Sequence, residues 1–167
     1  MALHEAFQRL QLGTGPGGLL LHTVRFLFQR WWRVSLRGIA NVPAEVPAIL
    51  IGNHSGAIPV DAIMLAYALD CDDHEKSPRR CARVLYDKFI EGIPVLADVY
   101  RRCGAVPARY AIADSMLARG EVVVIFPEGI GGVAKLFEER YQLQRFSTSA
   151  ARLALKQQFE IAGQAGR

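Results

Sequence analysis

The chain has 167 residues, 51% of them hydrophobic and 22% charged. This balance excludes a disordered or fibrous chain and suits one folded domain with a sizeable core. The net charge of +4 sits at one end, because residues 1–44 hold Arg9, Arg25, Arg30, Arg33 and Arg37 against Glu5 alone. Such a gathering of charge expects an anionic surface, either membrane or nucleic acid. Cys71, Cys81 and Cys103 are odd in number and form no CxxC pair, so a disulfide framework is not expected and a reducing cytoplasm is. The first residues do not read as a secretory leader, and no apolar run reaches the ~18 residues of a membrane span.

In chain order, residues 2–12 read as a short helix and "GTGPGG" as a break. Residues 19–32 read as an amphipathic helix, with Leu20, Val24, Leu27, Phe28 and Trp31 on one side and His22, Arg25, Gln29 and Arg33 on the other. "RVSLRG" (33–38) alternates like a strand, and "AILIGN" (48–53) is a continuous apolar strand of the kind buried on both faces. The loop "HSGAIP" leads to a helix, "VDAIMLAYAL" (60–69), with Pro59 near its start. A charged loop at 70–80 precedes the strand "ARVLY" (82–86) and the helix "PVLADVYRRC" (94–103), which Gly104 stops. The extended "AVPA" (105–108), the helix "YAIADSMLAR" (110–119) and the buried strand "EVVVIF" (121–126) follow. A loop "PEGIGG" leads to the last helix, "STSAARLALKQQ" (147–158), with Ser147 as the expected N-cap. Strands alternating with helices predict an α/β fold, a mixed sheet flanked by helices with an amphipathic helical region at the N-terminus.

Two segments carry chemistry. In "ILIGNHSGAIPVDA", His54 stands at the exit of a buried strand, where α/β proteins place ligands. Gly56 permits a tight bend, and Asp61 falls in the first turn of the next helix, where the dipole favours its ionised form. A carboxylate beside His54 would orient the imidazole, as in a catalytic triad; the spacing alone equally allows a histidine that merely caps the helix. In "EVVVIFPEGIGG", Glu128 and Gly129 turn away from a second buried strand, and Glu128 is suited to binding substrate or to fixing the backbone.

Taken together, "NHSG…PVDA", "RRCGAVPA" and "VVIFPEG" resemble the glycerolipid acyltransferase superfamily of 1-acylglycerol-3-phosphate acyltransferase type, from about Arg33 to Leu155. The resemblance implies transfer of a fatty acyl group from acyl-CoA or acyl carrier protein to a hydroxyl of a lipid acceptor, with no metal and no bound cofactor. It makes His54 the general base and Asp61 its partner. Substrate contacts fall to Asn53, Ser55, Gly56, Arg109, Glu128 and Gly129, with Lys135 downstream. It favours a membrane surface over nucleic acid as the partner of the basic end, and a cytoplasmic enzyme peripheral on the inner face of a membrane. Residues 1–32 then form a membrane-associating region, anchored by Phe28, Trp31 and Trp32, and residues 33–167 the acyltransferase-like domain.

The sequence departs from the family in three places. Six residues separate His54 from Asp61 where the family has four. Ile130, Gly131 and Gly132 follow "FPEG" where the family offers an arginine, with Lys135, Arg140 and Arg145 further on. After the helix at 147–158 the family has another apolar strand, whereas this chain reads "FEIAGQAGR". The sequence therefore predicts a truncated sheet with an open edge and marginal stability. Two other functions remain open: a catalytically silent lipid-binding remnant, and a serine hydrolase or thioesterase using Ser55. "GTGPGG" matches GxGxxG but lacks the preceding strand, and Cys71, His74 and Cys81 fit no closed zinc spacing.

Overall fold

The computed structural model describes residues 16–54, 60–70, 80, 82–102, 104–134, 137–139, 142–157 and 162–163. Five strands, β1 (Ala48–Ile51), β2 (Ala82–Tyr86), β3 (Val106–Pro107), β4 (Val122–Ile125) and β5 (Ala162–Gly163), form one sheet in the order β3-β2-β4-β1-β5. The α/β class stands, and the sheet expected to be mixed is parallel in every pairing among the described residues. Ala48 to Ile51 pair with Val122 to Ile125 in unbroken register.

Parallel strands are covered on both faces, and β4 shows why its sequence is a run of Val and Ile rather than an alternation. Val123 and Ile125 face α4 (Tyr110–Ala118) and α6 (Ser149–Gln157), where Ala113, Leu117 and Leu153 complete a buried cluster. Val124 points the other way, with Ala82 and Val84 of β2, onto Ala62, Ala66 and Leu69 of α2 (Val60–Asp70). Leu117 and Leu153 are each 1% exposed, so cutting either back to alanine would cost about 2–5 kcal/mol. Tyr86, Ile90 and Ala97 form a smaller cluster where α3 (Pro94–Arg102) covers the end of β2.

β1 and β4 lie side by side, but their connections leave in opposite directions. From β1 the chain crosses by α2 to β2; from β4 it crosses by α6, on the other face, to β5. The crevice beyond the carboxyl ends of two such strands is where open α/β sheets bind ligands.

Five expectations need correction. The helix of the basic region begins earlier than expected, with Pro16 at its first position, so α1 spans Pro16–Phe26 and continues as a wider turn through Leu27–Trp31. Its apolar stripe packs on the protein itself: Val24 and Phe28 are buried against Met64, Tyr67 and Ala68 of α2, with the Phe28 and Tyr67 rings 5.0 Å apart. Phe28 therefore cannot be a lipid anchor; among the described side chains of this segment, the large apolar ones left exposed are Leu19, Phe26, Trp31 and Trp32. Residues 33–38 form no strand, because Val34 and Leu36 tuck against the same cluster and find no ladder partner there. The edge of β1 expected to be open carries β5, paired as Leu50↔Ala162 and Ile51↔Gly163. Backbone groups alone make that pairing, so it needed no Val/Ile/Pro pattern. Ser147, expected to cap α6, instead shares a hydroxyl–hydroxyl bond of 2.8 Å with Ser149.

The expected helix at 2–12 and the three cysteines lie outside the described residues. No helix among the described residues is long and apolar enough to cross a membrane.

Candidate active site

His54 follows β1 by three residues. The ladder extends one step past the strand, with the Gly52 N–H donating to the Ile125 carbonyl at 3.2 Å. That step aims the chain at β4's exit, and the His54 ring stacks on Phe126, centroids 4.6 Å apart and planes 20° from parallel. Asp61 is the second residue of α2. Its Oδ1 accepts the Ala62 N–H at 2.8 Å, and its Oδ2 meets His54 Nδ1 at 2.9 Å. The longer spacing between the two is thus spanned by a direct contact. An ionised carboxylate can only accept, so this bond places the proton on Nδ1 and leaves Nε2 with its lone pair. An imidazole held in this tautomer can take a proton from a hydroxyl and return it.

Glu128 stands opposite, at the exit of β4. The turn Phe126–Gly129 closes through the Gly129 N–H donating to the Phe126 carbonyl at 3.0 Å. Gly129 sits at φ 54°, a conformation that favours glycine. Glu128 is buried, and its Oε2 accepts the Gln144 N–H at 3.1 Å. Through this bond the carboxylate holds the segment that leads into α6.

The short helix α5 (Ile130–Val133) brings Gly132 against both residues. A Cβ there would lie 2.8 Å from Glu128 Cβ and 3.1 Å from His54 Cβ, whereas at Gly131 it would meet the Gln144 side chain at an ordinary 3.7 Å. Gly132→Ala must push His54, Glu128 or both aside. A shift of that size is expected to lower kcat by about 10–100-fold, while Gly131→Ala stays near wild type. Full turnover in Gly132→Ala, measured beside its melting temperature, would contradict this packing.

The remaining residues singled out by sequence are placed unevenly. Asn53 is exposed beside His54. Arg109, just before α4, is exposed and bonds both Glu91 carboxylate oxygens at 3.0 Å. Ser55, Gly56 and Lys135 lie outside the described residues, as do Cys71, His74 and Cys81. Among the described residues, no group of three or more His, Cys, Asp or Glu side chains could hold a metal ion. Sequence reasoning missed Phe126 as the ring under His54, Gly132 as the close approach, and Gln144 as the anchor of Glu128. Only the glycine pair after "PEG" hinted at any of them.

His54, Glu128 and Arg109 all line one cavity of about 840 Å³. Its walls come from both faces of the sheet, Ala62, Ala66 and Val84 from one and Ala113, Ile125 and Leu153 from the other. Its lining is mostly apolar, and Asp87, Arg109 and Arg145 are its charged lining residues besides Glu128.

Uncharacterized proteins of Mycobacterium bovis and Mycobacterium tuberculosis are each 38% identical over 124 residues, covering 74% of this chain and 34% of theirs. An uncharacterized protein of Mycobacterium leprae is 38% identical over 124 residues, 33% of its length. The chain thus spans about a third of the length of the curated relatives it matches. No solved structure matches it. The family model described as Acyltransferase matches residues 33–163, a range that holds all five strands, His54, Asp61 and Glu128, and the chain belongs to that family, the glycerolipid acyltransferases.

Proposed function

We propose that this chain moves a fatty acyl group from an acyl thioester, acyl-CoA or acyl carrier protein, to a hydroxyl of a glycerolipid-type acceptor, with His54 as general base. Family membership supports acyl transfer in general. The observation that carries the finer reading is the 2.9 Å contact of His54 with Asp61 at the wall of a mostly apolar cavity of about 840 Å³.

In this reading the acceptor hydroxyl gives its proton to His54 Nε2 as its oxygen attacks the thioester carbonyl. Asp61 stabilises the imidazolium that forms. The tetrahedral intermediate collapses, the C–S bond breaks, and the departing thiolate takes the proton back from His54. An ester and a free thiol result, and the histidine is restored. The acyl chain lies along the apolar walls, and Arg109 and Arg145 hold an anionic part of either substrate. The enzyme works at the cytoplasmic face of a membrane, where the acceptor resides.

The rival serine hydrolase needs Ser55 as nucleophile, and paired substitutions separate the two. Ser55→Ala is expected to lower turnover by at most about tenfold, since a lost substrate contact is worth roughly 1 kcal/mol. Asp61→Asn is expected to lower it by about 10² or more, because the imidazole loses the partner that fixes its tautomer. A complete loss in Ser55→Ala with a covalent acyl-Ser55 adduct by mass spectrometry would replace the general-base reading. Absence of turnover in every preparation, wild type included, would favour the silent lipid-binding protein.

A further inference from the structure

The rim of the cavity is unusually apolar for a surface. Ile63 of α2, Phe89 of the turn Lys88–Gly92, Val99 of α3, Tyr110 of α4 and Phe146 all line the cavity and are all exposed. Exposed hydrophobic residues scattered singly need no explanation, but five from separate segments meeting around one opening do. The apolar surface also runs outward from the opening. α3 buries Ala97 and partly buries Leu96 and Tyr100 against the end of β2, and so turns Val95 and Val99 away from the core. These stand one helical turn apart, as neighbours on one face. Val95 is 78% exposed, and Ile93, just before the helix, is exposed beside it. Neither Ile93 nor Val95 lines the cavity. Arg145 lines the same opening, and Lys88 and Arg101 are exposed on the segments that carry Phe89 and Val99, which also carry Asp87, Glu91 and Asp98.

We infer that this rim is a lipid-facing surface, seated on an anionic bilayer, so that an acyl chain passes from the membrane into the cavity beside His54 without crossing water. What passes through it rests on the acyl-transfer reading; the docking itself does not. Exposed apolar side chains with arginine and lysine among their neighbours suit an interfacial surface, and the continuity of the patch with a mostly apolar cavity selects lipid as its occupant. The α1 end is the competing surface, with Trp31 and Trp32 exposed beside Arg30 and Arg33, but it contributes neither tryptophan to the cavity.

The test is co-sedimentation of the full chain with vesicles of phosphatidylcholine alone and of phosphatidylcholine mixed with phosphatidylglycerol. Wild type is expected to prefer the anionic vesicles and to lose binding as salt rises. The double variant Ile93→Glu/Val95→Glu is expected to bind them at least about tenfold more weakly. It should keep wild-type turnover on a short-chain acyl thioester and a water-soluble acceptor, which shows that it folds. Trp31→Glu/Trp32→Glu should lose less binding than the rim variant. Binding lost only in the tryptophan variant, or a rim variant that binds like wild type, would overturn the inference. So would a wild type that ignores vesicles, or a rim variant that keeps vesicle binding and loses turnover only with a carrier-protein donor, which would assign the face to that protein. An inactive wild type that still binds anionic vesicles through the rim would uphold the surface and sink the catalytic reading.

Discussion

Replacing His54 with alanine is expected to lower acyl transfer by about 10²-fold or more, the usual contribution of a positioned general base. His54 lines the cavity, and its Nδ1 lies 2.9 Å from Asp61 Oδ2, a contact that suits a neutral imidazole with its Nε2 lone pair available. The fold should survive. His54 sits beyond the end of β1, and its ring is a lid over Phe126 rather than a part of the core clusters. Asp61 keeps its bond from the Ala62 N–H when the imidazole is gone. Initial rates and a thermal melt on the same preparation separate the two effects: rate falls and the melt holds. Wild-type turnover in His54→Ala would remove the histidine from the mechanism.

The second large effect is on stability, at the opposite end of the strands. Arg83 of β2 is 8% exposed, and its Nε donates to a carboxylate oxygen of Glu121, just before β4. Arg119 bonds the other oxygen at 2.9 Å. Burial opposes ionisation of Glu121, but Arg83 and then Arg119 outweigh it and hold the carboxyl below its ordinary 4.5. Glu121→Ala leaves the Arg83 guanidinium buried without that carboxylate. The expected loss is about 3 kcal/mol, the low end for a broken buried pair, because Glu121 keeps some contact with water. For a chain of this size that is a fall of about 6–12 °C in Tm. The pH dependence has a definite sign. A lowered folded pKa means that the pair's contribution is present above the unfolded value and is lost as pH falls through the folded one. Wild type should therefore lose stability on acidification below about 4.5, and Glu121→Ala should lose less over the same window. Thermal melts from neutral to acid pH read this directly; parallel curves for the two proteins would contradict it. Turnover of Glu121→Ala well below its melting temperature should match wild type, since the pair is a strand's length from His54.

Much of the fold was legible because parallel strands announce themselves. "ARVLY" reads as a strand and is β2 from end to end, and "EVVVIF" brackets β4 by one residue on each side. β4 is apolar on two faces and β2 nearly so, with Arg83 its one charge, a pattern that a one-sided strand does not share. What failed depended on partners that local sequence does not name. Periodicity assigned a face to α1, but not that α2 would cover it and bury Phe28. "RVSLRG" has the alternation of a strand, yet Val34 and Leu36 pack on helices instead of pairing. β5 was illegible because Ala162 and Gly163 carry no strand propensity and pair through their backbone.

In the site, His54 and Glu128 were legible as motif residues at strand exits, and Asp61 as one in the first turn of the helix that follows. The stacking of Phe126, the approach of Gly132 and the bond from Gln144 were not, since each joins segments distant in sequence. Gly132 was seen as part of a departure from the family pattern. It is now the residue that lets α5 lie against His54.

The central claim, acyl transfer in this cavity, is tested most directly by the product balance of the wild-type chain. Incubated with a long-chain acyl-CoA and a glycerolipid carrying a free hydroxyl, it should release one thiol for each ester formed, with thiol read by colour and ester by mass spectrometry. Thiol release matched by free fatty acid, with no acylated acceptor, would contradict the account.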